Sequence, residues 1–465
     1  MLTGNSPCIY FISEMNIVAT VNNAITTGQP FAAIIGLDWA DQKHVWSMRT
    51  ADGHRQRGEL VNSPEAVEIW AAELALRFAG QPVAIGIEQS RGAVISMLSK
   101  YSHFVLFPVL STSVSNYRKS FTPSGAKSDA KDSDLILDLL IKHPEQLPPL
   151  RPDTVETRSL QFLTEERRKL VNLHTSQVQT LTNWLKQVFP QVLHWFEDVS
   201  TPLVHDLLLR WPTLPDLQKV SSKTLLNFFH RHNCRSQERN QQRLAEIPHA
   251  VPATHDPALL KAGVLCIQNT VRLLTQMRTG ISALENQIAE VFRSHPDRAI
   301  VESFPGAGAV LEPRLIAAVG TQRDRFPSAQ SLAAFVGIAP VTEASGNSLW
   351  IHWRWACPKF IRQTFHEWAN CSIKSCAWAR EFYDQLRARG KSHHAAIRAL
   401  AFKWIRIFFR CWRDRVPYDE QRYLRSRQAR NAETPAPVPP AHGKAQPRFL
   451  FKTCGDFQKI AEISY

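Results

Sequence analysis

The stretch that decides the fold is FAAIIGLDW, residues 31–39, an apolar run that ends in an acid, Asp38. Two more strand-like stretches follow it, KHVWSMRT and GELV, and then PEAVEIWAAELALRFAG, whose apolar residues share one helical face. QPVAIGIE and SHFVLFPV are again strand-like. Three strands in succession, followed by alternating helix and strand, predict an α/β domain with a mixed sheet over residues 31–150.

Four acids stand in a suggestive order in this domain. Asp38 and Glu88 each end an apolar strand, and the edge where strands end is where α/β domains form their sites. Asp129 and Asp132 lie three residues apart, so they share one face of a predicted helix. Converging carboxylates bind hard cations such as Mg²⁺, and two such ions can promote phosphoryl transfer. The alternative is that Asp129 caps the helix and the other acids are solvated.

The overall charge favours a polyanionic partner. The chain has 465 residues and a formal net charge of +14, which points to nucleic acid first and to a merely basic protein second. Its 44% of hydrophobic residues excludes a disordered chain. None of its eight cysteines forms a CxxC pair, and no signal peptide or membrane span is evident, so we expect a cytoplasmic protein without a membrane partner.

The rest of the chain divides by pattern. Long helical stretches at 152–197 and 257–294 predict an α-helical middle, an antiparallel coiled coil carrying a small helical insertion. Around this arm, the expected segments are a flexible leader at 1–30, the α/β domain at 31–150, the arm at 151–298, a mostly α-helical C-terminal domain at 299–420, and a Pro-rich linker and tail at 421–465.

The acidic motifs carry a family resemblance. IIGLDWADQKHV, IGIEQS and KSDAKDSD together resemble the D–E–D–D pattern of the RuvC-like, RNase H-fold domain in insertion-sequence transposases of the "IS one-ten" family. The family signature KTDxxDA matches at Lys127, Asp129 and Asp132, with Ser133 in place of Ala. The resemblance implies that Asp38, Glu88, Asp129 and Asp132 are metal ligands, for two Mg²⁺ ions, and that Lys127 contacts nucleic acid.

A second part of the resemblance concerns Ser345. FPGAG at 304–308 and APVTEASGNS at 339–348 resemble the C-terminal transposase domain of the same family, in which an Ala-Pro turn precedes Ser-Gly. Ser345 falls on the nucleophilic serine of that family, although a lone Ser-Gly pair is usually only a turn. Ala344 and Asn347 depart from the family pattern. The resemblance implies a covalent serine–DNA linkage, formed in a composite site to which the acidic domain also contributes.

Several residues are candidates for contact with nucleic acid. Gly306 and Gly308 in FPGAG resemble a helix–hairpin–helix turn, whose glycines let backbone N–H groups approach a phosphate; a simple turn opening a helix is the alternative. Arg354, Lys359 and Arg362 follow Ser345 among several tryptophans, a mixture that suits phosphates and unpaired bases.

The basic and aromatic stretch at 402–412 has its apolar residues at helical spacing, which favours an aromatic core with a solvated basic face.

The resemblance as a whole implies a transposase that acts as a DNA recombinase. Its partners would be donor and target DNA, a structured guide RNA transcribed from the ends of the element, and further copies of itself in a dimer or tetramer, at the prokaryotic nucleoid. Two alternatives remain open. One is a RuvC-type metal-dependent nuclease in which Ser345 is a structural turn, and the other is an inactive nucleic-acid-binding relic. Only the recombinase predicts a covalent adduct.

Overall fold

The chain forms two compact units that divide between Pro152 and Asp153. The computed structural model describes residues 31–121, 129–346 and 348–433. The predicted leader, Lys127 and most of the predicted tail lie outside these residues. No helix in the described part of the chain is both long enough and apolar enough to cross a bilayer.

The N-terminal unit is built on a mixed five-stranded sheet, as predicted. The strand order is β3-β2-β1-β4-β5, in which β2 is antiparallel to both of its neighbours, β3 and β1, and β1, β4 and β5 are parallel. The core lies largely on β1 and β4, whose apolar side chains are almost fully buried. The strands are β1 (Ala33–Asp38), β2 (Lys43–Thr50), β3 (Arg55–Val61), β4 (Val83–Ile87) and β5 (Phe104–Pro108).

Helices complete this unit, and one of them packs directly on β1. The helices are α1 (Pro64–Arg77), α2 (Ala93–Leu98), α3 (Ser111–Phe121) and α4 (Asp129–Lys142), followed by a 3₁₀ turn at Pro144–Gln146. A Cβ atom at Gly36 would collide with the backbone of Ser133 and Leu137 in α4. Glycine at position 36 therefore allows the backbone of α4 to approach β1 closely.

The second unit is almost entirely helical and is organised around two long helices, α5 (Val155–Val188) and, later in the chain, Pro257–Arg293. They run antiparallel, since Arg167 near the start of the first bonds to Glu285 near the end of the second (Nε to Oε1, 2.9 Å). The predicted pair of long helices is thus present, while a supercoil between them remains a prediction.

Short helices between the two long ones form a separate core at one end of the pair. Leu185 of α5 packs there with Phe229 and Ile267, all essentially buried. These helices are α6 (Gln191–Trp195), α7 (Pro202–Arg210), α8 (Leu214–Gln218), α9 (Ser222–Arg231) and α10 (Gln237–Glu246), then a 3₁₀ turn at Ile247–His249; the second long helix is α11 (Pro257–Arg293).

The other end of the long pair joins the larger C-terminal core. Leu160 and Ile288 pack there with Trp368, Trp404 and Phe408. The elements are α12 (Arg298–Glu302), α13 (Gly308–Val319), α14 (Ala329–Val336), β6 (Val341–Ser345), β7 (Ser348–His352), α15 (Lys359–Ser375), α16 (Ala377–Ala388), α17 (His393–Asp414) and α18 (Glu420–Glu433). Helix α18 occupies the first part of the segment predicted to be a linker.

The interpretation of 402–412 as an aromatic core is confirmed. Trp404, Phe408, Phe409 and Trp412 are buried on α17, whereas Arg406 on the opposite face is exposed. The mixed α/β domain followed by a mostly helical region also agrees with the predicted fold class.

Candidate functional site

Two of the predicted acids emerge at the same edge of the sheet. Asp38 is the last residue of β1, and Glu88 directly follows β4. The two strands are parallel neighbours, and their register pairs Leu37 with Ile87. Adjacent strands lie about 4.8 Å apart, so Asp38 and Glu88 lie side by side where their strands end. We call this the acidic edge.

The direction of α4 brings its first turns toward the acidic edge. Strand β3 runs parallel to β1, because each is antiparallel to β2. Arg55 of β3 donates to Asp138 (Nη2 to Oδ1, 2.9 Å), and Arg57, two residues further along β3, donates to Asp134 (Nε to Oδ1, 3.2 Å). Helix α4 therefore runs antiparallel to β1. Asp132, nearer its start, lies on the side of the acidic edge.

Asp132 is buried and already has a cationic partner. Its side chain is 2% exposed, and its Oδ1 atom accepts hydrogen bonds from Arg118 of α3 (Nη2 2.6 Å, Nε 2.9 Å). A buried carboxylate without such a partner would be strongly unfavourable. Sequence reasoning missed Arg118, because nothing but its place upstream of KSDAKDSD pointed to it. Asp129 is the first residue of α4.

The structure shows how the serine at position 133, which departs from the family signature, is accommodated. Ser133 stands where the signature has Ala, and it is fully buried against β2. Its hydroxyl lies 2.9 Å from the hydroxyl of Ser47, and it donates to the carbonyl of Ala130 (3.1 Å). A buried hydroxyl needs a partner, and Ser47 provides one on the neighbouring strand.

The residues of the acidic edge carry the donor atoms that a hard cation needs, but the described side chains do not form a complete set of metal ligands. Carboxylate oxygens are the donors that hard divalent cations prefer. Among the side chains that the structure describes, no group of three or more His, Cys, Asp or Glu residues converges as metal ligands would. Arg118 supplies the positive charge at Asp132. The full set of four ligands therefore stays a prediction.

Ser345 lies at the tip of a two-stranded ribbon. It ends β6 and pairs with Ser348, which begins β7. Gly346 opens the turn with φ of +55°, a value that the tight turns joining such strands require. Ser345 is exposed. A serine hydroxyl is a weak nucleophile until a base or a metal activates it, so the exposed position supplies access but not activation.

The two glycines of FPGAG have different surroundings. Gly306 has φ of +77°, and a Cβ atom there would lie 2.7 Å from backbone atoms of Cys371 and Ser372, so it packs tightly on α15. Gly308, with φ of +59°, opens α13 and is exposed, with no heavy atom within 4 Å of an added Cβ. Gly308 thus has room for a phosphate, while Gly306 mainly serves packing. Contact with nucleic acid by either stays a prediction.

The basic residues after Ser345 also differ in their surroundings: the two arginines bond to backbone carbonyls, whereas the lysine is exposed. Arg354 donates to the carbonyl of Ala339 (Nε, 3.2 Å), and Arg362 donates to the carbonyl of Arg354 (Nη1, 3.1 Å). These bonds tie the base of the ribbon to the start of α15. Lys359, the first residue of α15, is exposed. The structure brings Arg354 and Arg362 together, and contact of all three residues with nucleic acid stays a prediction.

Two family models match parts of the chain. A model for IS110 DEDD transposases, described as "Transposase", matches residues 35–190. A second model, described as "Transposase IS116/IS110/IS902 family", matches residues 298–384. The first match contains the acidic edge, and the second contains Ser345.

Curated relatives extend over most of the chain. It is 25% identical to "Mini-circle putative transposase for IS117" of Streptomyces coelicolor, over 83% of this chain and 95% of that protein. It is 25% identical to "Insertion element IS900 uncharacterized 42 kDa protein" of Mycobacterium paratuberculosis, over 82% and 96%. It is 29% identical to "Insertion element IS110 uncharacterized 43.6 kDa protein" of Streptomyces coelicolor, over 64% and 74%.

Proposed function

Because this chain belongs to the IS110 family of transposases, we propose that it is a DNA recombinase that moves an insertion sequence by metal-dependent strand exchange. The observation that carries the proposal is the parallel register of β1 and β4, which sets Asp38 and Glu88 side by side at the edge toward which the first turns of α4 lie. This arrangement also supports the assignment of residues 31–150 as a RuvC-like domain. We propose that this domain is followed by the coiled-coil arm at 151–298 and by the domain with Ser345 at 299–420.

The acidic edge would hold the divalent cations on which DEDD transposases generally depend, with Mg²⁺ as the expected ion. Asp38, Glu88, Asp129 and Asp132 are the proposed ligands. Bound cations would lower the barrier to attack on a phosphodiester by polarising its oxygens and stabilising the leaving oxygen. Arg118 fixes the rotamer of Asp132, and Gly36 fixes how closely α4 approaches the edge.

Ser345 is the proposed nucleophile. Its Oγ atom attacks the phosphorus of a DNA phosphodiester and gives up its proton, and the bond from phosphorus to the leaving deoxyribose oxygen breaks. The leaving oxygen takes up a proton, and the DNA stays joined to the protein through a phosphoserine linkage. A hydroxyl of the new DNA partner then attacks the same phosphorus and releases the serine. No water is consumed, so the bond is transferred rather than hydrolysed.

The partners follow from the family resemblance and from the charge. The formal net charge of +14 favours polyanions. We propose donor and target DNA as substrates, a structured RNA from the ends of the element as the guide, and a dimer of dimers as the working assembly, at the nucleoid in the prokaryotic cytoplasm.

The test is strand transfer between labelled donor and target duplexes, with Mg²⁺ and the flanking RNA of the element. Asp38→Asn, Glu88→Gln and Asp132→Asn should each abolish strand transfer while DNA binding persists. Asp134→Asn is the matched control, since Asp134 lies on the same helix but is held by Arg57 on the side of β3. Normal strand transfer by any of the first three variants would remove that residue from the ligand set.

A further inference from the structure

A cluster of cationic and aromatic side chains lies at the base of the ribbon that carries Ser345. We call it the arginine–tryptophan cluster, and it comprises Trp353, Trp355, Arg362, His366 and Arg398. The first two directly follow β7, the next two belong to α15, and Arg398 comes from α17. The cluster therefore joins the ribbon to two helices of the C-terminal core.

The guanidinium groups lie on the indole of Trp353. The Cζ atom of Arg398 is 3.8 Å from the ring centroid of Trp353, and that of Arg362 is 4.9 Å from it. Trp355 lies edge-on to Trp353, with ring centroids 6.5 Å apart, and is 70% exposed. Cation–π contact orients the two guanidinium groups without neutralising them.

The charge of the cluster is uncompensated within the described structure. No carboxylate of the described residues pairs with Arg362 or Arg398, and the Nε atom of Arg398 is buried without a hydrogen-bond partner there. Burial and the neighbouring Arg362 lower the pKa of Arg398. Like charges held together in a partly buried place are unfavourable unless an anion joins them.

The position of the cluster relates it to the reaction. Trp353 follows His352, which pairs with Val341, four residues before Ser345 along β6. At about 3.3 Å per residue, the base of the ribbon is about 13 Å from its tip. A nucleic-acid strand engaged at Ser345 would reach the cluster a few nucleotides away.

We propose that the arginine–tryptophan cluster binds one phosphate of a single-stranded nucleic acid while an unpaired base stacks on Trp355. The planar fork of arginine fits phosphate oxygens, and an exposed indole suits an unstacked base. Arg398, which no family motif included, is then a positioning residue for the strand near Ser345. The inference rests on the proposed function only in naming that strand, since binding at the cluster requires neither metal nor covalent chemistry.

The test is equilibrium binding of the full chain, in EDTA, to short fluorescein-labelled single strands of DNA and of RNA with the same mixed sequence. For single strands the slope of log affinity against log salt is about −0.7 per phosphate contact. Arg398→Gln should make the slope shallower, by at most about 0.7 because the cluster binds one phosphate, and so should Arg362→Gln. Trp355→Ala should weaken binding about tenfold and leave the slope unchanged, because stacking releases no counterions.

Arg272→Gln is the matched control, since it removes the same charge from an exposed position on α11 and should leave the slope as in the wild type. Arg398→Lys keeps the charge, and it should retain the slope while losing affinity. An unchanged slope in both Arg398→Gln and Arg362→Gln, with the fold intact by circular dichroism, would overturn the inference. The DNA and RNA arms decide which strand the cluster prefers. Because no chemistry occurs in EDTA, the result stands apart from whether Ser345 is the nucleophile.

Discussion

The acidic edge and the two-stranded ribbon that carries Ser345 differ in how firmly the fold holds them. Asp38 and Glu88 lie at the ends of buried strands, and Asp132, on the helix α4 that packs on β1 at Gly36, is 2% exposed. Ser345 stands on a two-stranded ribbon whose strands are mostly exposed. The fold therefore determines where the carboxylates lie, whereas it only presents the serine. The ribbon therefore gives Ser345 access to a substrate, and activation of its hydroxyl belongs to the proposed mechanism.

The test with the largest expected effect removes the cationic partner of the buried acid, Asp132. Arg118→Ala leaves the carboxylate of Asp132 buried and uncompensated, which should lower the free energy of unfolding by about 3–5 kcal/mol. Urea denaturation monitored by circular dichroism measures the loss. If Asp132 is a metal ligand, Mg²⁺ should restore part of the stability, because a cation that binds only the folded state stabilises it.

Arg57→Ala is the control for that prediction. Arg57 also binds an acid of α4, but its side chain is 62% exposed, so its loss should cost less than about 1 kcal/mol. Equal losses in Arg118→Ala and Arg57→Ala would show that burial does not distinguish the two pairs, and would contradict the account of the acidic edge.

A second test places the same substitution in both regions. Gly36→Ala forces its Cβ atom into the backbone of α4, which cannot move aside as a side chain could, so the expected loss is about 3 kcal/mol. A Cβ atom at Gly346 would meet no other atom, so Gly346→Ala costs only the strain of the left-handed backbone conformation, about 1 kcal/mol of stability. Thermal melting of the two variants compares them directly. A larger effect at Gly346 would mean that the ribbon is the more constrained region.

The last test concerns acid pH near the ribbon. Burial, together with Arg398, Arg362 and His394, lowers the pKa of His366 to about 4. Between that value and about 6.5, the unfolded chain binds a proton that the folded chain does not, so stability rises with pH across this window and falls on acidification. His366→Gln should make the melting temperature less sensitive to pH there.

Exposed His230 provides the control for the pH prediction, because His230→Gln removes an imidazole without touching the cluster. If both variants keep the pH dependence of the wild type, His366 is not the group that limits stability in acid.

The sequence predicts the acidic edge better than the ribbon, and the reason is physical. A continuous apolar run predicts a buried strand and a period of 3.6 predicts the buried face of a helix, so the strands before Asp38 and Glu88 and the helix after Asp129 agree with the sequence prediction. Tertiary partners leave no such periodic mark. The salt bridge from Arg118 and the pairing of Ser133 with Ser47 depend on how α3 and α4 pack, and neither was foreseen.

In the C-terminal region, too, sequence patterns predict the buried face of a helix but not the contacts between distant segments. Helical spacing correctly predicted the aromatic core on α17, but the run after Ser345 mixes two roles that spacing cannot separate. Arg354 turns out to bond to a backbone carbonyl of the ribbon base, and Arg398, far along the chain, joins the tryptophans there. Side-chain contacts between distant segments require the three-dimensional structure.

The central claim is that Ser345 forms a covalent bond with DNA, and one denaturing gel tests it most directly. Wild type, Ser345→Ala and Ser348→Ala would each be incubated with Mg²⁺, the flanking RNA of the element, and labelled donor and target duplexes. Ser348 is the matched control, because it is the exposed cross-strand partner of Ser345 at the same tip. The account predicts a labelled protein–DNA adduct with wild type and Ser348→Ala and none with Ser345→Ala. Cleaved DNA without an adduct in the wild type, or an adduct that survives Ser345→Ala, would contradict it.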